Sequence, residues 1–423
     1  MLEPLAQTGR DPRTGGYVRD AWSAEDMELR GWFAGEAARR GLDLREDRNG
    51  NLWAWWGDPS RRPGVVTGSH LDSVRQGGAY DGPLGVVSAF AALDLLRERG
   101  VTPGRPVGVA CFTDEEGARF GMPCMGSRLL TGALSPERAL ALTDDDGDTL
   151  ADVMSRAGRK PEAVGRDAET LATVGVFVEL HVEQGRALVH EGRPVGVAST
   201  IWPHGRWRFD FAGRADHAGT TRLADRDDPM LPFARMVLAA REAADRHGVV
   251  ATVGKTRVSP GNANAIPGRV SAWLDARGAS ESAVRALVEE LSAGTAADGD
   301  DARIAADGEG ARIVADGGGA RIVADGERVR FSVREESWTP EVAFDTALRD
   351  RLARVAGGDT PAPILPTGAG HDAGILATAG IPSAMLFVRN PTGVSHSPEE
   401  HADQADCHAG VVALADVLED LCR

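Results

Sequence analysis

VVTGSHLDSVRQGGAYDGPLG, residues 65 to 85, decides the fold. Val65, Val66 and Thr67 form a short β-branched run that reads as a buried strand ending at Gly68. His70 and Asp72 then fall where side chains emerge at the carboxyl end of a parallel strand, the usual place for chemistry in an open α/β sheet. A glycine-rich loop delivers Asp81 at the mouth of a helix running from about Pro83 to Arg99. His70 and Asp81 are hard, metal-competent groups on one loop system, and Asp72 is close enough to hold His70 by its second ring nitrogen. His-x-Asp is short and also arises by chance, so the rest of the chain has to carry the reading.

Outward from this stretch, strand 65–68, helix 83–99 and strand 107–112 (VGVACF) make a βαβ unit, with Gly100 ending the helix. Upstream, residues 21 to 41 show helical spacing with Ser23 as N-cap, and Asn51 to Trp56 reads as a strand closed by Gly-Asp-Pro. Downstream, the 107–112 strand runs into TDEEGARFG, residues 113 to 121. Glu115 and Glu116 are neighbours whose side chains point different ways, so they take different jobs: one ligates a metal, the other handles a proton. The alternative is a solvated acidic turn. Residues 133 to 172 read as helical and polar, with Asp144-Asp145-Asp146 as a solvated loop. Val176 to His181 is another buried strand, which puts His181 at a strand end as His70 is, with Glu183 and Gln184 at the rim.

The pattern changes after about Pro203. Arg206 to Phe211 alternates as a half-exposed antiparallel strand should. Helix 229–247, strand 249–258, the loop SPGNANAIPG, strand 270–276, helix 281–293 and a strand near 328–335 complete an α+β sandwich over 206–338. A nine-residue repeat, ARIAADGEG-ARIVADGGG-ARIVADGER, interrupts it at about 299–327. Each copy suits a short strand and an Asp-Gly turn, and the whole reads as a peripheral insert, either a β-hairpin extension or a low-complexity segment. The first domain, 1–205, then resumes over 339–423 with helix 341–356, the loop PTGAGHDAG, helix 372–379, strand 383–388, the run GVSHSPEE and helix 403–421. A small domain is thus inserted into a larger one, and a cleft between them is the natural substrate site.

The chain has 423 residues and a formal net charge of −16, which argues against nucleic-acid and anionic-membrane partners. No apolar run reaches the ~20 residues that a membrane helix needs, and no signal peptide is read at the start. Cys111, Cys124, Cys407 and Cys422 form no CxxC pair and fit free thiols in a reducing compartment, with a cytoplasmic enzyme as the default.

His70, Asp81, Glu116, His181 and His396 are all nitrogen or oxygen donors, a set that suits Zn, Mn, Co or Ni. Five donors exceed one tetrahedral ion but divide between two if one carboxylate bridges, and Asp81 on its glycine-flanked turn is the best bridge. Glu115 is then placed to take a proton from water and pass it to a leaving nitrogen.

GSHLDSVRQGGAYDG, TDEEGARFG, ELHVEQG, HAGTT, GNANAIPG and GVSHSPEE resemble the M20-type metal-dependent amidohydrolases, and among them the hydantoinase/carbamoylase branch. The resemblance spans essentially the whole chain apart from the repeat. It implies a mixed-sheet, zinc-exopeptidase-like α/β catalytic domain with an inserted lid and dimerisation domain. It also implies two divalent ions per subunit, one held by His70, Asp81 and His181 and the other by Asp81, Glu116 and His396. Glu115 becomes the base and Asp72 the orienter of His70. Substrate contacts map onto Gln184, His217, Asn264, Arg277 and the backbone at Gly370, in the loop containing Gly368 and His371, and His217 also stabilises the oxyanion. His217 and Asn264 are expected to serve the opposite subunit of a homodimer. Without the resemblance, His217 reads equally as a turn residue and Arg277 as a surface arginine. His204, His247, His401 and His408 are read as structural or solvated.

The substrate implied is a small anionic ureido or carbamoyl acid. GRDPRTGGY, GNLWAWWGDP and DGPLGVVSAF are most similar to allantoate amidohydrolases, which puts allantoate first and N-carbamoyl-L-amino acids or β-ureidopropionate as the alternative. A non-catalytic binding protein on the same fold is the reading from a different class, and it would call for missing ligands or a missing base. A peptidase is disfavoured by His181 and Arg277.

Overall fold

The computed structural model describes residues 2–294, 312–316, 319–323 and 329–423. The chain divides into two compact units, one made of Met1–Ile201 with Val342–Arg423 and the other of Trp202–Glu341.

The first unit is built on a mixed sheet. Its order is Val342–Ala343, Val195–Ile201, Ser383–Val388, Val174–Val182, Gly64–His70, Val107–Phe112, Leu52–Trp56 and Asp43–Glu46, with Ile364–Thr367 beside Val195–Ile201. The four central strands run parallel. Every residue of Gly64–His70, Val107–Phe112 and Ser383–Val388 is buried, because both sheet faces are covered. On one face the helices Pro83–Glu98 and Gln404–Cys422 bury Val86, Phe90, Leu93, Leu414 and Leu418. On the other, Trp53, Phe112, Phe177 and Phe387 pack with Ala373 and Leu376 of the helix Asp372–Thr378. The register pairs His70 with Phe112 and Phe387 with His181, so these strands deliver their carboxyl ends to one edge.

Local capping follows the sequence. The Ser23 hydroxyl accepts the Asp26 amide at 3.2 Å and starts the helix Ala24–Arg39. Pro83 opens the helix Pro83–Glu98, where a missing N–H costs nothing. The region 133–172 is more broken than its polarity suggests, with short helices at Pro136–Leu140, Leu150–Arg156 and Ala168–Thr173. The triad Asp144-Asp145-Asp146 is also not simply solvated. Asp144 is buried, accepts the amides of Asp146 and Asp148, and pairs with Arg119 at 3.1 Å. That makes it a turn-closing carboxylate.

The second unit is a six-stranded antiparallel sheet with two helices. The order is Val250–Ser259, Arg269–Arg277, His204–Ala212, Arg330–Thr339, Gly319–Val323 and Arg312–Asp316. Trp207, Phe209 and Phe211 alternate with Arg206, Arg208 and Asp210, and the apolar set forms a core with Met236 and Ala240 of the helix Met230–His247 and Leu287 and Leu291 of the helix Glu281–Gly294. Within the repeat, the backbone of Arg312–Asp316 pairs antiparallel with Gly319–Val323, and Arg321 pairs with Arg330, so these two segments extend the sheet as the hairpin reading expects. The first copy and the turn residues lie outside the described residues.

Gly68 makes the sharpest demand on a single residue in the central sheet. Its φ is +149°, and a Cβ there would sit 2.0 Å from the carbonyl oxygen of Ala110, its partner on the adjacent strand. Gly68→Ala is expected to lower the unfolding free energy by about 2–4 kcal/mol, read from urea denaturation. Gly31→Ala, in the exposed face of the helix Ala24–Arg39 with open space around it, is expected to raise it by about 0.5–1 kcal/mol. A Gly68→Ala protein as stable as wild type would contradict the strand geometry.

Candidate metal centre

His70 and His181 reach the same point from two parallel strands. The Nδ1 of His70 meets the backbone carbonyl of Asp72 at 3.1 Å, and the Nδ1 of His181 meets the carbonyl of Val182 at 2.9 Å. Each carbonyl calls for the Nδ1–H tautomer, which turns an Nε2 lone pair inward. The rings lie 5.9 Å apart with planes inclined by 28°. Both Nε2 atoms face one oxygen of Asp81, at 3.5 Å from His70 and 3.1 Å from His181. Gly82, at φ +83°, lets the chain turn beside them, where a Cβ would lie 2.4 Å from the His70 ring.

The other oxygen of Asp81 serves a second group. The Nε2 of His396 is 3.4 Å from it and 3.5 Å from Oε1 of Glu116. The Gln184 amide donates to the same Asp81 oxygen at 2.9 Å, and the Ser395 hydroxyl at 3.1 Å. Glu400 holds the turn from behind, one oxygen accepting the amides of Tyr80 at 2.8 Å and Asp81 at 3.0 Å. Two donor groups thus share Asp81: His70–Asp81–His181, which is buried, and Asp81–Glu116–His396, which opens to solvent at His396.

The residues fit a pair of divalent cations. Nε2 of His70, Nε2 of His181 and Oε1 of Glu116 are buried with no hydrogen-bond partner. Buried polar atoms are normally satisfied, and three such atoms turned toward a shared carboxylate are what a cation would satisfy. The donors are imidazole nitrogen and carboxylate oxygen, the set for a borderline or hard ion.

Glu115 lies beside this cluster. One carboxylate oxygen is 3.7 Å from Nε2 of His70, and the other accepts the Cys124 thiol at 3.3 Å. Burial pushes Glu115 well above the ordinary carboxylate range, against the opposing pull of His70, and Asp372 and Glu116 add to the rise. Glu116 is pushed up to about 7, by burial first and then by Asp81. The turn that presents both acids is fixed by Asp72, whose two oxygens accept the amides of Glu115 at 3.2 Å and Glu116 at 3.1 Å. The expected pairing of the Asp72 carboxylate with His70 is a 3.5 Å approach to Nδ1, while the closer hydrogen bond comes from the Asp72 backbone. Asp72 therefore ties the two strand-end loops together as well as flanking the ring.

Sequence reading passed over Glu179 and Asp372, and named His371 only as part of the loop of a backbone contact. Glu179 is fully buried, accepting the Ser69 hydroxyl at 2.8 Å and the Ala373 amide at 3.1 Å. The His371 ring stands edge-on to His181 at 4.6 Å, so Gly370 lies one residue from that contact, and Glu179, His181 and His371 form a third donor group. Asp372 is pushed up to about 8 by burial and by Glu179, and accepts the Ser127 hydroxyl. A carboxylate inside the apolar run Val176–Val182 was the available signal for Glu179.

His217, Asn264 and Arg277 belong to the second unit. His217 pairs with Ala265 in a short antiparallel bridge between segments far apart in the chain, and the Asn264 carbonyl accepts the Ala218 amide at 3.0 Å, so His217 and Asn264 are neighbours and both are exposed. Arg277 ends the strand Arg269–Arg277, its guanidinium forked onto Asp275 at 2.6 and 2.9 Å. Of the remaining histidines, His204 bonds the Trp202 carbonyl, His247 pairs with Glu290, His401 pairs with Asp403, and His408 is exposed.

The model of Peptidase family M20/M25/M40 matches residues 66–420. The chain is 36% identical to the N-carbamoyl-L-amino acid amidohydrolase of Geobacillus stearothermophilus, over 98% of this chain and 95% of that one. It is 30% identical to the allantoate amidohydrolase of Escherichia coli, over 99% and 95%. The crystal structure of an amidase of the hydantoinase/carbamoylase family from Burkholderia vietnamiensis superposes with a TM-score of 0.85 at 30% identity, covering 99% of this chain and 95% of that one. With a cluster of nitrogen and oxygen donors at the carboxyl ends of its central strands, the chain belongs to Peptidase family M20/M25/M40, in the hydantoinase/carbamoylase branch of these metal-dependent C–N hydrolases.

Proposed function

We propose that the protein hydrolyses a C–N bond of a small anionic ureido or carbamoyl acid, allantoate first. The observation that carries the reaction type is the sharing of Asp81 by two donor groups with the buried carboxylate of Glu115 alongside. Allantoate rests on the tracts at 9–17, 50–59 and 81–90 and on similarity to the E. coli allantoate amidohydrolase over nearly the full length. N-carbamoyl-L-amino acids are the second reading, favoured by the higher identity, 36%, to the Geobacillus relative.

In this reading His70, Asp81 and His181 hold one divalent ion, and Asp81, Glu116 and His396 hold the other, with Zn, Mn, Co or Ni as the candidate metals. When bound, the ions supply Lewis acidity, which polarises a carbonyl and acidifies water. Glu115 takes a proton from the attacking water at its carboxylate and returns it to the leaving nitrogen. Cys124 holds one oxygen of Glu115 and leaves the other toward His70. Asp72 keeps Glu115 and Glu116 in separate directions through their amides. Gln184, placed on Asp81, and the backbone at Gly370 are substrate contacts. Arg277 exchanges Asp275 for the substrate carboxylate, a planar bidentate match.

The second unit is proposed to be the lid and the homodimer interface. Among the described residues Val250–Ser259 is an edge strand of its sheet, and Leu238 on the helix Met230–His247 is 67% exposed. His217 and Asn264, exposed neighbours on one antiparallel bridge, then complete the partner's site, where His217 stabilises the oxyanion. A reducing, cytoplasmic setting accompanies the proposal, in keeping with four free, buried cysteines. No helix among the described residues is long and apolar enough to cross a membrane.

Ammonia release from metal-loaded protein, given allantoate and a panel of N-carbamoyl-L-amino acids, separates the two substrates. Turnover of allantoate alone is expected, and turnover of the carbamoyl panel alone would transfer the protein to the second reading. Glu115→Gln is expected to keep the wild-type metal content by mass spectrometry and to lose about 10³-fold or more in kcat. Activity within a few-fold of wild type would remove Glu115 as base. Glu115→Gln and His217→Ala, each inactive alone, are expected to regain activity when unfolded and refolded together, since one site of the mixed dimer has both groups intact. No recovery in a verified mixed dimer would place His217 in its own subunit's site or in none.

A further inference from the structure

A cavity of about 330 Å³ lies in the first unit, lined in part by Ala79 and Tyr80, the two residues before Asp81. None of the metal-donor residues lines it. Leu5, Leu84 and Tyr17 give it an apolar wall, and Arg19 supplies a cation.

Arg19 is 1% exposed. Its Nε donates to the Thr8 carbonyl at 3.0 Å and its Nη2 to the Leu5 carbonyl at 2.7 Å, and its guanidinium carbon lies 4.1 Å from the Tyr17 ring centroid. These partners orient the group but do not neutralise it. Nη1 is buried with no hydrogen-bond partner. Among the described residues no carboxylate pairs with Arg19, and Glu3, the acidic residue of the lining, is exposed. Burial pulls the guanidinium down to about 10. Arg30, the other buried arginine among the described residues, pairs with Asp26 at 2.9 Å, so Arg19, held by carbonyls, stands apart. A buried charge is costly unless paired, and a guanidinium pairs best with a carboxylate. The volume is at the lower end of small-molecule pockets, enough for a carboxylate on a short apolar body.

We propose that this cavity is a binding site, separate from the metal centre, for a small monocarboxylate with a short apolar body, its carboxylate paired with the guanidinium of Arg19 and its body against Leu5, Leu84 and Tyr17. The site does not depend on the substrate reading above. Its lining includes the residues that lead into Asp81, whose amides, with that of Tyr80, are held by Glu400.

The test is isothermal titration of the metal-loaded protein with isovalerate, with isoamyl alcohol as the uncharged counterpart. Isovalerate is expected to bind saturably at one site per chain, with a dissociation constant of about 1 mM. The alcohol is expected to bind at least tenfold more weakly. Arg19→Met is expected to abolish the binding. Ala6→Leu fills the cavity from a half-exposed lining position, leaves Arg19 in place, and is expected to abolish binding while keeping wild-type circular dichroism and turnover. It therefore carries the test should Arg19→Met fail to fold. The proposal is overturned by the absence of saturable heat at roughly 20-fold above that concentration. It is equally overturned by equal binding of the alcohol, or by isovalerate binding that survives Ala6→Leu, which would put the carboxylate at the metal centre.

Discussion

Asp81 is the constraint on which the first unit depends. One carboxylate faces three imidazoles, His70 and His181 on one oxygen and His396 on the other. Such an arrangement requires parallel strands to end level with one another, so that side chains from distant parts of the chain meet. It also requires a turn that cannot drift. Gly82 supplies the turn and Glu400 locks it through two amides. The buried sheet interior, with continuous apolar strands and helices on both faces, is what makes those strand ends rigid.

Around this carboxylate the protein concentrates acid groups that it does not neutralise with lysine or arginine. Asp72, Asp81, Asp114, Glu115, Glu179 and Asp372 are all buried. Both oxygens of Asp114 lack hydrogen-bond partners, and burial holds Asp114, Glu115 and Asp372 above the usual carboxylate range. Buried like charges repel unless a cation or protons intervene. The electrostatics thus match the donor chemistry: the site has a deficit of positive charge, which a bound metal cation would offset.

The two units divide the labour differently in chemical terms. The first gathers imidazole and carboxylate groups that could hold a metal ion, with the buried Glu115 beside them. In the second, Arg277 ends a strand of the six-stranded sheet, whose apolar side chains pack the unit's own helices, while His217 lies on a separate two-stranded bridge. The repeat extends that sheet through Arg312–Asp316 and Gly319–Val323, away from any of the donor residues in the chain order.

By itself the sequence determined the parallel core of the first unit and named the donors that meet at Asp81. It passed over the sheet strands Asp43–Glu46, Val195–Ile201 and Ile364–Thr367, and it read a helix from 341 where Val342–Ala343 is a strand and the helix begins at Thr346. Strict burial forces apolar runs, so strands at 65–68, 107–112 and 176–181 were legible, the first and last running on to His70 and Val182 in the structure, and a histidine or acid at the end of such a run stands out against it. The short-range rules of capping likewise fixed Ser23 and Pro83, while the repeat stayed open between a hairpin and a low-complexity segment until the pairing of Arg312–Asp316 with Gly319–Val323. Only the tertiary structure decided what depends on approach between segments far apart in the chain. It gave His371 its place against His181, and it made Glu179 a buried partner of Ser69 and Ala373. It turned Asp72 into the tie between two loops, Asp144 into a buried turn-closer, and Arg19 into an unpaired cation beside a cavity. The reason is physical: periodicity records how much of a side chain is buried, but the partner that satisfies a buried polar atom is chosen by packing, and local sequence carries no trace of it.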